Sequence, residues 1–388
     1  MIFVSDAAIL SILLPNQVGI LDPANKVANL GLITTVSFTF TIFAQPLVGA
    51  LSDRTRGRLG RRAPWMIVGS VVAGGFLVGM GGLGSVLWIC VFWVVIQFAL
   101  NAINVAVSSF VPDRFPSERR GLASAVIGVG AIGGGAVGTI VAGQLVDRLQ
   151  FVYTLLGIMV VVASILFVVF NREAPTDPAE ASSFDWRSFM RGFWIDPRQH
   201  PDFAWAFASR LMFILGYYLV YAFQLYVLTD YIQVPQREAN TLLGLLTVVS
   251  FVTIVVSVAV GGWMSDRLKR RKIFVIAASV LLMIALAIPL ALPTVGGMAL
   301  FFALKGLGFG LYLACGTALV AEILPNGGAS SAKDLGIYNV ATNLPQAIAP
   351  ALAALLISSF GGYPALFVSA IVGVAASALL MTKVRGVR

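Results

Sequence analysis

Apolar residues in this chain come in long, nearly unbroken runs, without the alternation of a half-buried strand or the one-sided stripe of a soluble helix. About 20 such residues carry a helix across the hydrocarbon core of a bilayer. Laid along the chain, that length gives spans near 2–21, 27–50, 64–83, 85–110, 121–146 and 151–170. Six more lie near 203–229, 239–263, 273–292, 296–320, 335–359 and 363–382. Inside lipid the backbone has no water to bond, so helices are the structure these runs predict. The polar stretch 171–202 is the one long connection, and it divides the spans six and six.

The expected architecture is therefore an all-α polytopic membrane protein. Twelve transmembrane helices form two six-helix pseudo-repeats, 1–170 and 203–388, joined by a cytoplasmic linker at 171–202. The first span is the least regular. It starts at Met1 with no leader, and Pro15, Asn16 and Gln17 interrupt it, so it reads as short and tilted or as truncated. In the linker, Trp186, Phe189 and Phe193 recur at roughly helical spacing; an amphipathic segment on the inner surface and a plain connector both fit. Glycine runs inside spans, such as Gly128 to Gly138 and Gly306, Gly308 and Gly310, suit close helix–helix approach.

Composition removes the soluble alternative. Of 388 residues 59% are hydrophobic and 11% charged, with a mean hydropathy of +0.92. A soluble domain is about half apolar and about a quarter charged. The net charge of +9 would suit a nucleic acid, but its distribution argues otherwise. With the N-terminus inside, twenty-one of the 26 basic residues fall on the inner side, in clusters such as Arg54 to Arg62 and Arg267 to Lys272. Lys26, Arg148 and Arg237 are the basic residues outside. That asymmetry is a topology signal, which places both termini in the cytoplasm of a cell-membrane protein and leaves no nucleic-acid partner. Cys90 and Cys315 lie in apolar runs and His200 is the sole histidine. Neither a metal nor another cofactor is expected, and no catalytic constellation points to an enzyme. The expected partners are a small solute, protons and the bilayer, for a monomer.

The most specific signal is duplicated. After the second span stands Gly49-Ala50-Leu51-Ser52-Asp53-Arg54, continuing to Gly60-Arg61-Arg62; after the eighth stands Gly261-Gly262-Trp263-Met264-Ser265-Asp266-Arg267. The fourth span ends in Pro112-Asp113-Arg114 and the tenth in Glu322-Ile323-Leu324-Pro325. Two halves repeated in parallel suit a transporter with its solute site between the repeats. These residues resemble the signature loop of the major facilitator superfamily. Gln45-Pro46-Leu47-Val48-Gly49 with Ser52-Asp53-Arg54 and Gly60-Arg61-Arg62 is similar to the sugar–proton symporter branch that includes sucrose carriers. Asp334 to Asn339 with Leu344-Pro345-Gln346 is similar to bacterial relatives of that branch.

Gly49 and Gly60 permit close approach and turning. Asp53, at a helix end, suits a neighbouring helix N-terminus or an arginine. The resemblance implies that such contacts latch the halves together. Asp53, Arg54, Arg61, Arg62 and Asp113 then form an inner gate, with Asp266 and Arg267 its twin; arginines that merely fix topology are the alternative.

Ionisable groups within spans are functional candidates by default. Arg210 lies about two turns into the seventh span and Lys305 near the middle of the tenth. For Arg210, snorkelling to the interface competes with a cavity role. Gln97, Asn101, Asn104 and Ser108 share one helical face, as do Arg210, Tyr217, Tyr221 and Gln224, and likewise Asn339, Asn343 and Gln346. Interhelical hydrogen bonding is the other reading of such stripes. The resemblance implies that the first and fourth helices of each half line the central cavity. Proton coupling needs a titratable group, for which Asp6 and Lys305 are the candidates. The reading is a secondary active transporter, with a proton-coupled sugar or glycoside symporter first. An exporter of drugs or organic anions is the alternative, and a non-transporting assembly or sensor protein the different class. Replacing Asp53→Asn tests the gate: transport turnover in vesicles falls at normal expression, and wild-type turnover removes the latch.

Overall fold

Among the described residues, twelve helices form where the apolar runs lie. The computed structural model describes residues 1–55, 59–114, 117–171, 199–323 and 331–385. It leaves aside the side chains of 46, 50, 53, 109, 111–114, 117–125, 317, 321–322 and 331–337. Trp186, Phe189 and Phe193 of the linker lie outside the described residues. The chain divides into two units, Met1–Phe184 and Asp185–Arg388.

The first unit holds α1 (Ile2–Leu21), α2 (Lys26–Arg54), α3 (Ala63–Met80), α4 (Val86–Arg114), α5 (Ser117–Leu145) and α6 (Leu149–Phe170). A 3-10 turn, Val146–Arg148, separates the last two. Without it the apolar stretch Val126–Phe170, 45 residues, would extend about 67 Å as one helix, roughly twice the hydrocarbon core. The second unit holds α7 (Pro201–Tyr221), α8 (Gln236–Leu268), α9 (Arg271–Ala291), α10 (Val295–Ile323), α11 (Ser331–Ser359) and α12 (Gly362–Thr382). The seventh span is shorter as a continuous helix than its hydropathy predicts. α7 ends at Tyr221, and Gln224–Tyr226 and a π-turn at Val227–Tyr231 follow it.

α1 is helical throughout, although Pro15 lies in its middle. Pro15 has no N–H to donate to the carbonyl one turn back. The residues just before it, Ile9–Leu13, form a π-turn in which the Leu14 N–H reaches the Ile9 carbonyl. Asn16 Nδ2 donates to the Ile12 carbonyl at 2.7 Å. Pro15, Asn16 and Gln17, which interrupt the apolar run, are all buried. Gln17 Nε2 donates to the Met80 carbonyl at 2.9 Å, and its Oε1 accepts from the Tyr153 hydroxyl at 2.9 Å. One amide thus ties α1 to the end of α3 and the start of α6. At the turn that follows, Asn25 and Asn29 donate to Asp22 and hold its carboxyl below the usual carboxylate range.

The two units share most of their packing, although α7 also lies along α12, a pairing far closer than that of α1 with α6. In the first, α2 and α3 pack on α4, α3 on α6 and α1 on α5; in the second, α8 and α9 pack on α10, α9 on α12 and α7 on α11. Lipid gives helices no hydrophobic reason to associate, so close backbone contact does the work. The glycines supply it. A β-carbon at Gly138 would collide with the Val4 carbonyl of α1, and one at Gly310 would lie 2.6 Å from the Ile254 carbonyl of α8. Gly306 faces Ser250 of α8 and Gly308 faces Ala278 of α9, so one glycine-rich run serves two neighbours. Gly128 and Gly130, in contrast, have no atom within 4 Å of such a carbon. Large apolar side chains such as Ile20, Phe43, Phe170, Val372 and Leu379 face outward. So wide an apolar exterior belongs to a multi-pass integral membrane protein.

Adjacent glycines of α3 separate packing from propensity. A β-carbon at Gly74 would lie 3.0 Å from the Gly157 carbonyl of α6 and 2.6 Å from Val161, whereas Gly75 faces open space. Gly74→Leu costs roughly 1–3 kcal/mol of stability, and Gly75→Leu stays within about 0.5 kcal/mol. Thermal unfolding of the two variants in detergent measures the difference; equal midpoints would rule out the packing role.

Candidate functional site

The duplicated motif sits on helix ends. α2 runs on through Asp53 to Arg54, and α8 through Asp266 to Leu268, about one turn beyond the expected limits. A carboxylate in the last turn of its own helix opposes the macrodipole, so it needs a cation or the start of another helix. Asp266 has both: Arg271, the first residue of α9, lies 3.5 Å away. Arg271 also donates to the Ala318 carbonyl of α10 at 2.7 Å, which joins three helices at one guanidinium. Arg267, the expected partner of Asp266, instead lies over the Trp263 ring, 5.4 Å from its centroid. The serine before each acid, Ser52 or Ser265, turns inward and is buried.

In the first unit, the side chains of Asp53 and Asp113 lie outside the described residues, so the expected gate contacts are not on view. Arg54 is exposed, Arg61 half-buried and Arg62 buried. Thr55, which ends α2, accepts from the Trp65 indole at 2.8 Å and fixes the start of α3. Gly60 has a φ of 85°, the left-handed turn expected of it. In the second loop no glycine stands there, and Lys269 takes the left-handed conformation, with a φ of 52°. The close approach expected at Gly49 is absent: a β-carbon there meets nothing within 4 Å. Gly262, its counterpart four residues before the acid, is nearly as open, with the Ala314 side chain at 4.0 Å, and the preceding Gly261 packs against Leu311 of α10.

The polar stripe of α4 is a hydrogen-bonded row. Gln97 Nε2 donates to Asp6 Oδ1 of α1 at 2.7 Å. The Gln97 main-chain carbonyl accepts from Asn101 Nδ2 at 2.9 Å within α4, and Asn101 Oδ1 accepts from Gln45 Nε2 of α2 at 3.0 Å. Two neighbouring amides of α4 thus reach two other helices, Gln97 the half-buried carboxylate of α1 and Asn101 the amide of α2. Asn104 continues the same face, half-buried, and Ser108 is exposed. The alternatives of cavity lining and interhelical bonding are not exclusive here, because the row bonds across helices and still reaches accessible surface.

In the second unit Arg210 does not snorkel. It is 9% exposed and turns toward α11, where its Nε donates to Thr342 Oγ1 at 2.7 Å. Its guanidinium lies 4.6 Å from the centre of the Tyr338 ring. Phe213, one turn further along α7, stacks on Tyr312 of α10 at 3.7 Å. Lys305 is 5% exposed, and aromatic faces surround its ammonium: Phe302 at 3.8 Å, Phe301 at 5.3 Å and Tyr217 at 5.8 Å. Among the described residues neither cation makes an ion pair with a carboxylate. A desolvated aromatic face returns about 2 kcal/mol to a cation, against a burial cost of several kcal/mol per ion. The aromatic faces alone leave the Lys305 ammonium short of an anion.

Tyr217 stacks on Phe309 at 4.2 Å and runs beside Tyr221 at 5.9 Å, and Gln224 follows, buried. On α11, Gln346 donates to the Tyr218 hydroxyl at 3.1 Å; Asn343 is half-buried and Asn339 exposed. Sequence reasoning passed over Gln17 and Tyr153, Thr342, and the rings around Lys305. The available signal was slight: Tyr338 and Thr342 sit one turn apart, and Phe301-Phe302 precede Lys305 by one turn.

Residues 1–234 and 236–387 match the family model described as Major Facilitator Superfamily. The multidrug resistance protein MdtG of Yersinia enterocolitica is 26% identical over 148 residues, which are 36% of this chain and 31% of that protein. The match thus spans about a third of that relative's length. The crystal structure of the nucleoside transporter NupG superposes with a TM-score of 0.75 at 12% identity, over 98% of this chain and 96% of that one. That of a D-xylose-proton symporter gives 0.70 at 15% identity, over 98% and 94%. At such identities the superpositions speak for the fold, and the family match over nearly the whole length carries the assignment: this chain belongs to the Major Facilitator Superfamily.

Proposed function

We propose that the protein is a secondary active transporter that carries a sugar or glycoside together with protons by alternating access. The observation that carries this reading is the row from Asp6 through Gln97 and Asn101 to Gln45. Asp6 is an acid within a span, and protonation would turn it from an acceptor for Gln97 into a donor. Such a change turns the Gln97 amide over, which is how a proton on α1 can alter a polar group on α4. Amides and the phenols of Tyr217 and Tyr221 suit the hydroxyls of a polyhydroxy solute. The overall likeness to a D-xylose-proton symporter fits this reading.

The two halves, 1–170 and 203–388, work as repeats on either side of the linker 171–202. The basic clusters support termini in the cytoplasm and a location in the cell membrane. It acts as a monomer in the bilayer, without nucleic acid and without enzymatic chemistry. Asp53, Arg54, Arg61, Arg62 and Asp113 form the inner gate, with Asp266 and Arg271 in the second unit.

A second reading, export of drugs or organic anions, is favoured by the buried Arg210 and Lys305 and by the partial match to a multidrug resistance protein. Uptake into proteoliposomes of a panel of labelled sugars, with and without an imposed pH gradient, separates the two. Symport gives saturable sugar uptake that an inward proton gradient accelerates, and Asp6→Asn removes the acceleration. Sugar uptake indifferent to pH in the wild type rejects coupling; no sugar uptake, with saturable efflux of an organic anion, promotes export.

A further inference from the structure

We propose that the α7–α10 face selects a sugar that carries a carboxylate, with Lys305 as its counter-ion and the half-buried Tyr221, backed by the buried Tyr217, as the platform for its ring. This rests on the sugar reading above and narrows it to a class of solute. Lys305 is a buried ammonium whose surroundings among the described residues are rings, without a hydrogen bond or an ion pair. Arg210 differs, because Thr342 and Tyr338 already engage its guanidinium. The cation left open to a ligand is therefore Lys305.

Beside it stands an aromatic wall. Tyr217 stacks on Phe309 with an interplanar angle of 20°, and Tyr221 continues at 24° to Tyr217. Tyr218 packs against both tyrosines, and Gln346 of α11 holds its hydroxyl. The face of a pyranose is a sheet of C–H groups, which packs well on such a wall, while its hydroxyls bond to phenols and amides at the edge. A neutral sugar uses the wall and leaves the ammonium without an anion. An inorganic anion answers the ammonium and leaves the wall bare. A sugar acid answers both, because its carboxylate projects from the ring edge.

The test uses the full chain in proteoliposomes, with labelled glucuronate and glucose as probes. Glucuronate half-saturates uptake at a concentration roughly 10- to 100-fold below glucose, the range set by a charge-assisted hydrogen bond. Lys305→Gln brings that ratio close to unity, and Lys305→Arg keeps it. A ratio that survives Lys305→Gln in a variant with wild-type thermal unfolding overturns the proposal. Glucuronamide, the same ring without the charge, provides a test free of mutation: it competes with glucuronate about tenfold or more weakly than glucuronate itself. Equal competition overturns the counter-ion. Glucose uptake with glucuronate ignored overturns the sugar-acid proposal and spares the sugar reading, whereas uptake of neither overturns both.

Discussion

The hydrocarbon of a bilayer offers no hydrogen bonds, and everything polar between the helix ends of this chain has to be answered by the protein itself. The backbone meets that demand by remaining helical, even across Pro15, where a wide turn and the Asn16 amide replace what the proline lacks. Side chains meet it in rows. Gln17 reaches two neighbouring helices, and one turn apart on α4 Gln97 reaches Asp6 and Asn101 reaches Gln45. The same demand makes Lys305 conspicuous, since among the described residues rings answer it and no carboxylate does.

The second constraint is contact distance. Helices in lipid gain from touching only if their backbones come near. Gly74 with Gly157, Gly138 with Val4 and Gly310 with Ile254 are places where they do. The repeated packing in the two units means that one solution to this problem serves twice. Details then diverge. Gly261, which packs against α10, stands where the first unit has Val48, and the left-handed turn falls on Gly60 in the first unit and on Lys269 in the second.

Much of the architecture was legible because span length is a physical ruler. The helices fall within a turn of the apolar runs, except that α7 breaks after Tyr221. The glycine runs also announced close packing, though not which neighbour each would meet. Side-chain partners were harder to foresee. Both the lipid-facing and the buried faces of these helices are apolar, so there is no amphipathic contrast to fix their rotation. Polar stripes on α4 and α7 could be seen, but that Asn101 would meet Gln45, or Arg210 Thr342, depends on that rotation. Asp266 pairing with Arg271 in place of Arg267 has the same origin: α8 continues past the acid, which turns Arg267 toward Trp263.

The wide turn in α1 has an effect on direction. Asp6 and Gln17 are eleven residues apart, a spacing that puts two side chains on one face of an uninterrupted α-helix. One extra residue in the turn between them rotates the remainder by roughly 100°. Asp6 accordingly addresses α4, while Gln17 addresses α3 and α6. The first helix thus behaves as two short helices on a common axis, each with its own heading. Tightening or relaxing a single turn would swing the carboxylate through a quarter of a circle, with the amide below it held in place.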